Sequence, residues 1–228
     1  MDREVKSSDN LVVPADWTFK NANVAQNFDQ HVREQLPWYE LATAIATHFG
    51  RHYMPENGLM YDLGASTGNI TKALRKEIEL RKVTAISIDN SEPMEKVFQG
   101  VGSFELADIR DYAYQPYDFC TCFLVLMFLS REQQISVVSN LVDQLKPGGA
   151  LVVFDKTDDF DGYLSTVVHR LALAGKVATG VPSDAIVKKE LSLAGVQRPI
   201  DSDWLMYTKG AKEIFRFGEF AGWVITKR

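Results

Sequence analysis

Three carboxylates and one loop of small residues carry the chemistry open to this sequence. Met60-Tyr61-Asp62-Leu63 is an apolar run ending in Gly64-Ala65-Ser66-Thr67-Gly68-Asn69, and an amphipathic stretch follows. The pattern predicts a strand, a tight turn and a helix. Gly64 and Gly68 remove side chains that would keep a ligand off the backbone. Asp89 ends a second apolar run, 25 residues beyond Gly64. That spacing suits a carboxylate accepting from ribose hydroxyls at the tip of a neighbouring strand. Asp108 is a third acid at a strand end, suited to an adenine amino group while Ile109 packs on the ring. A dinucleotide fingerprint needs glycine at the third and sixth loop positions, where Ser66 and Asn69 stand. A P-loop needs Gly-Lys-Ser/Thr, and Gly68-Asn69-Ile70 is not that.

These residues need elements to hold them. Residues 1–15 read as a polar, flexible tail, and 24–33 and 38–52 as two helices. Strands follow at 59–63, 82–88, 103–106 and 119–126. After the glycine loop, Ile70, Ala73, Leu74 and Ile78 share one helical face. Ser91 caps another helix, with Pro93 in its first turn. Ser130-Arg131-Glu132-Gln133 is a capping box. The helix it opens carries Ile135, Val138, Leu141, Val142 and Leu145, and stops at Pro147-Gly148-Gly149. A fifth strand spans 150–154. The alternation predicts a mostly parallel sheet with helices on both faces. Helical patterns at 161–175 and 183–194 then break the rhythm, and a strand pair closes the pattern at 213–217 and 222–227. The expected division is a tail at 1–15 and one domain over 16–228, with 16–55 as a helical lid and 157–212 as an insertion holding the substrate region.

The chain has 228 residues, a formal net charge of −5, 46% hydrophobic and 24% charged residues. This is the composition of a globular domain. The negative balance argues against an extended nucleic-acid surface. No apolar run approaches the ~20 residues of a membrane span, and the first ten residues lack a signal-peptide core. The expectation is a cytoplasmic protein. Cys120 and Cys122 are two apart in a strand pattern, as buried thiols. Of the four histidines, only His48 and His52 have a metal-ligand spacing, and they have no third partner. No metal site is expected.

The sequence Asp62-Leu63-Gly64-Ala65-Ser66-Thr67-Gly68 resembles the first motif of class I S-adenosylmethionine-dependent methyltransferases. Their ligand has a ribose and an adenine but no phosphate. From Asp16 onward the chain is more specifically similar to the carboxy-S-adenosylmethionine synthase family of tRNA wobble-uridine modification. The shared markers are Asp16-Trp17-Thr18-Phe19, Pro37-Trp38-Tyr39, Tyr61-Asp62-Leu63-Gly64-Ala65-Ser66, Ile88-Asp89-Asn90-Ser91, Asp108-Ile109-Arg110-Asp111 and Pro147-Gly148-Gly149-Ala150-Leu151. The resemblance implies a Rossmann-like seven-stranded α/β fold and a homodimer. It implies cofactor contacts at Tyr39, Gly64, Ala65, Ser66, Asp89, Asn90, Asp108 and Ile109, with Asp62 and Gly68 in the same loop. Two positions depart from the family. Phe123 stands where the family has a cofactor-touching asparagine. Glu190, on a gapless alignment, stands where the family's arginine holds the cofactor's extra carboxylate.

The expected activity is therefore methyl transfer from S-adenosylmethionine to a small molecule or a restricted macromolecular site. The alternatives are carboxy-S-adenosylmethionine synthesis and cofactor binding without catalysis. An in-line displacement needs alignment and dryness more than a base. Candidate acceptor-side groups are His31 in the entry helices, and Asp155 and Lys156 at the tip of the fifth strand.

Overall fold

The computed structural model describes residues 18–228; the expected tail at 1–15 and the marker Trp17 lie outside them. Seven strands form one sheet in the order β3-β2-β1-β4-β5-β7-β6. They are β1 (Leu59–Leu63), β2 (Thr84–Asp89), β3 (Ser103–Leu106), β4 (Tyr117–Phe123), β5 (Leu145–Lys156), β6 (Lys212–Phe217) and β7 (Phe220–Thr226). Neighbours from β3 through β5 pair in parallel, whereas β7 runs antiparallel to both β5 and β6. The helices are α1 (Ala22–Gln35), α2 (Tyr39–Tyr53), α3 (Asn69–Ala73), α4 (Arg75–Arg81), α5 (Glu92–Glu95), α6 (Arg131–Gln144), α7 (Gly162–Ala178) and α8 (Ser183–Ser192).

The sheet is apolar on both faces because helices cover both. Tyr61, Leu63, Cys120, Cys122, Leu151, Val153 and Trp223 point into one core, and Met60, Phe119, Val152 and Phe154 into the other. This is period-two alternation read twice. The cysteines are free and buried. Trp38, at the start of α2, packs its ring 4.9 Å from Phe220 and 5.5 Å from Phe215, which ties the entry helices to the β6–β7 hairpin.

Three of the boundaries that differ from the sequence pattern have a clear local cause. The helix after the glycine loop breaks at Leu74, whose backbone (φ −96°, ψ 5°) leaves the helical region. β4 ends at Phe123, not 126, because Leu124 takes φ +58° and turns the chain into a short 3-10 turn, Leu126–Phe128. β5 starts at Leu145 and passes through Pro147-Gly148-Gly149. Gly149 is needed there, since a Cβ would lie 2.6 Å from the Asp118 carbonyl oxygen.

The chain runs outward from β1 to β3 and returns to β4 on the other side of β1. The order reverses between β1 and β4, and ligands of open α/β sheets bind outside the strand ends at such a point.

Candidate functional site

The glycine loop leaves β1 at this reversal. Gly64 has φ +64°, and a Cβ on it would sit 2.5 Å from Val125 Cγ2. Gly68 has φ +84°, caps α3, and approaches the Gly100 backbone to 2.6 Å from an ideal Cβ. Side chains are thus excluded at both positions by conformation and by space. The backbone N–H groups of Gly64 and Ala65 both donate to the Ile88 carbonyl, at 2.8 and 3.2 Å. Asp89 completes the tie, accepting from Ser66 N at 2.9 Å and Ser91 N at 3.0 Å. Burial raises the Asp89 carboxyl above its usual value against these amide bonds.

A cavity of about 260 Å³ opens over the loop. Of the residues expected at a cofactor, Tyr39, Asp62, Gly64, Ala65, Ser66, Asp89, Asn90, Asp108, Ile109 and Phe123 line it. Gly68 does not; it stands behind the loop, packed against Phe98 and Gly100. Asp108 is gripped by Arg110 through contacts of 2.6 and 2.8 Å, which hold its carboxyl down at about 2. Asn90 donates to the same carboxylate at 3.3 Å.

Asp62 is fully buried. Thr121 Oγ1 donates to its Oδ1 at 2.7 Å, and Oδ2 has no donor among the described residues. Burial, then the charge of Asp89, pushes its carboxyl up to about 7. A buried acceptor at a cavity wall is incomplete until a donor or cation meets it.

The entry helices close the cavity's other side. Asn69 donates to Asp29 Oδ1 at 2.9 Å and to the Tyr39 hydroxyl at 3.2 Å, and Thr67 Oγ1 donates to the same Asp29 oxygen at 2.5 Å. α1, α2 and the glycine loop are therefore stitched together. Tyr39 is buried, its hydroxyl pushed up to about 12, and its ring meets Phe123 edge-on at 5.5 Å. Asp29 and Asn69 carry no local signal in the sequence, because their partnership joins residues 40 apart. Phe19, Phe28 and Phe128 line the cavity as well, and their rings contact one another through Phe19 at 6.0 and 5.1 Å.

The acceptor-side candidates divide. His31 and Lys156 line a second cavity that shares Phe19, Phe28, Leu124 and Phe128 with the first. Burial and the charges of Lys189 and Lys176 push His31 down to about 3, so its imidazole is neutral at physiological pH. Asp155 borders neither cavity. It lies beneath the turn after β4, accepting from Leu126 N at 2.8 Å and Met127 N at 3.2 Å. Its buried carboxylate holds that turn. His48 and His52 meet edge-on at 4.6 Å, and no cluster of three or more metal-ligating side chains occurs among the described residues. No described helix is long and apolar enough to cross a membrane.

Asp155 has a consequence for pH. Burial pushes it up to about 7 from 3.8, outweighing its amide donors. Between those values the folded protein keeps a proton that the unfolded chain has lost. Its contribution is therefore most favourable below pH ~4, declines as pH rises, and levels off above ~7. Thermal denaturation should show the melting temperature of Asp155→Asn gaining on the parent between pH 4 and 7. A melting temperature of Asp155→Asn that falls relative to the parent across that window would refute the assignment.

Comparison with known proteins agrees with this geometry. Residues 60–149 match a family model described as a methyltransferase domain. The plantazolicin methyltransferase BpumL in complex with SAH superposes with a TM-score of 0.61 at 13% identity, over 90% of this chain and 89% of that one. Human N-acetylserotonin methyltransferase in complex with SAM gives 0.57 at 16% identity, over 94% and 60%. These two share the fold. The matched domain gives the class, a methyltransferase. The chain is 30% identical to the carboxy-S-adenosyl-L-methionine synthase of Wolinella succinogenes, over 90% of this chain and 91% of the relative. It is 26% identical to the synthase of Staphylococcus epidermidis, over 94% and 98%. Within its class, the chain belongs to the carboxy-S-adenosyl-L-methionine synthase family.

Proposed function

We propose that this protein transfers the methyl group of S-adenosylmethionine to a small acceptor and does not carboxylate the cofactor. One observation carries this reading. Glu190, where the resemblance places an arginine for the cofactor's carboxylate, is an anion bound to Lys176 at 2.6 Å. Lys176 and, more weakly, Lys156 and His169 favour its charged form against burial. A cofactor carboxylate near it would meet a like charge whose own cation is already engaged.

The first cavity's residues fit the cofactor. Asp62, with its unmatched buried oxygen, would take the methionine ammonium. Asp89 would take the ribose hydroxyls, Asn90, Asp108 and Ile109 the adenine, and Gly64, Ala65 and Ser66 the backbone approach. Tyr39 and Phe123 would set aromatic rings near a sulfonium, which a ring face attracts. Bound there, the cofactor supplies a methyl group on a cationic sulfur. The chain's part is to hold it, exclude water and align an acceptor, with α1 and α2 as the lid and α7 and α8 as the substrate-side cover. Its free, buried thiols suit the reducing cytoplasm.

We also propose a homodimer. Tyr163, Leu164 and Leu171 on α7 and Leu191 on α8 are exposed apolar side chains, and a second copy would cover them. The family's synthase activity is the second reading, favoured by the relatives' names. Native mass spectrometry of the freshly purified protein tests both proposals. The expected species is a dimer carrying S-adenosylmethionine or its demethylated product. A bound carboxylated cofactor would reject the transferase reading, and a monomer would reject the dimer.

A further inference from the structure

A carboxylate on α1 sits against the glycine loop without lining either cavity. Asp29 Oδ1 accepts from Thr67 Oγ1 at 2.5 Å and from Asn69 Nδ2 at 2.9 Å. Asn69 Nδ2 also reaches the Tyr39 hydroxyl oxygen at 3.2 Å and Thr67 Oγ1 at 3.3 Å. Tyr39 and Asn69 line the first cavity, and Asp29 and Thr67 stand behind them. We propose that Asp29 is a positioning residue, which sets the donor and acceptor polarity that Tyr39 and Asn69 present to the zwitterionic methionine end of the cofactor. This rests on the cofactor reading above.

The argument is one of counting hydrogens. A hydroxyl can donate or accept, and an asparagine amide can turn either end toward a neighbour, but an ionised carboxylate only accepts. Asp29 therefore decides the direction of every bond in the group. Thr67 must give it the hydroxyl proton, and Asn69 must face it with nitrogen and not with oxygen. The Tyr39 oxygen, on the same side of that amide, receives from Asn69. The phenol proton is then left to donate into the cavity, and Asn69 Oδ1 is left to accept there. A methionine end carries one carboxylate and one ammonium, and this donor and this acceptor suit them, beside the unmatched Oδ2 of Asp62. The Tyr39 hydroxyl, pushed up to about 12 chiefly by burial, keeps its proton at pH 7. The ring is held as well. Arg33, which donates to the Asp29 carbonyl at 2.7 Å, lies 5.6 Å over it, and Phe123 meets it edge-on. Without the carboxylate, the Asn69 amide is free to turn over. Its oxygen can then take the phenol proton, and the cavity is offered the reverse pattern.

The test is calorimetric titration of the parent, Asp29→Ala, Tyr39→Phe and the double variant with two ligands. S-adenosylhomocysteine has the amino-acid end; 5′-methylthioadenosine keeps the adenosine and sulfur but has neither ammonium nor carboxylate. Asp29 is half-buried on a helix, where alanine is favoured, so Asp29→Ala should fold. It should bind S-adenosylhomocysteine about tenfold more weakly, and methylthioadenosine within about twofold of the parent. The double variant should lose clearly less than the product of the two single losses, because both act through one hydroxyl. Equal losses for the two ligands would mean that Asp29 only braces the loop, and would overturn the proposal. Single losses that multiply in the double variant would overturn it too. Failure of the parent to bind S-adenosylhomocysteine would strike the cofactor reading first and this proposal with it.

Discussion

Asp89→Ala should bind S-adenosylmethionine roughly 30- to 150-fold more weakly than the parent, a loss of about 2–3 kcal/mol from charge-assisted bonds. Two losses combine. The ribose hydroxyls lose their acceptor, and Ser66 N and Ser91 N lose the carboxylate that fixes the loop over β2. Asp108→Ala should be milder, about 1–1.5 kcal/mol, since one bond to the adenine is at stake. Arg110 already engages both Asp108 oxygens, so this carboxylate has less capacity left for a ligand. Calorimetric titration decides the matter: parent-like affinity for Asp89→Ala would mean that the ligand does not sit on this loop.

The second large effect is discrimination between cofactors. The protein should bind S-adenosylmethionine at least tenfold more tightly than its carboxy derivative, on the order of 1.4 kcal/mol. Glu190→Arg should narrow or invert the preference. It removes the anion that holds Lys176 and leaves two cationic side chains, at 176 and 190, at one polar end of the second cavity. A ligand carboxylate would then relieve repulsion instead of adding to it. Competition binding in which the unaltered protein prefers the carboxy derivative would promote the synthase reading.

The sequence made legible what is local or strictly periodic. The strand, glycine turn and helix at 59–73 follow from residue order. So does the capping box at Ser130 and Gln133, where both reciprocal bonds form. Asp89 and Asp108 could be placed because the first ends β2 and the second follows β3 by two residues, and strand ends in a parallel sheet converge. The missing parts depend on distant partners. Leu124 gives no sign in the sequence that it will take φ +58°; its amide is turned to the Phe154 carbonyl at 2.7 Å. Asp155 looked catalytic because it sits at a strand tip, yet the turn after β4 folds over it and takes up its carboxylate. Glu190 could be aligned but not paired, since Lys176 lies on another helix beyond a turn. Gly68, expected in the same loop, stands outside the cavity lining and lets the loop approach Gly100.

One feature of the topology bears on how the protein is made. β7, residues 220–226, sits inside the sheet between β5 and β6, and β6 touches the sheet only through it. During synthesis β1 through β5 can assemble as they emerge from the ribosome. Until Thr226 follows, the long flank of β5 from Ala150 to Lys156 shows its unpaired amides and carbonyls to the cell. An open strand edge of that length recruits other chains. Ribosome stalling or proteolysis just short of Phe220 would thus leave an aggregation-prone fragment instead of a slightly shorter enzyme.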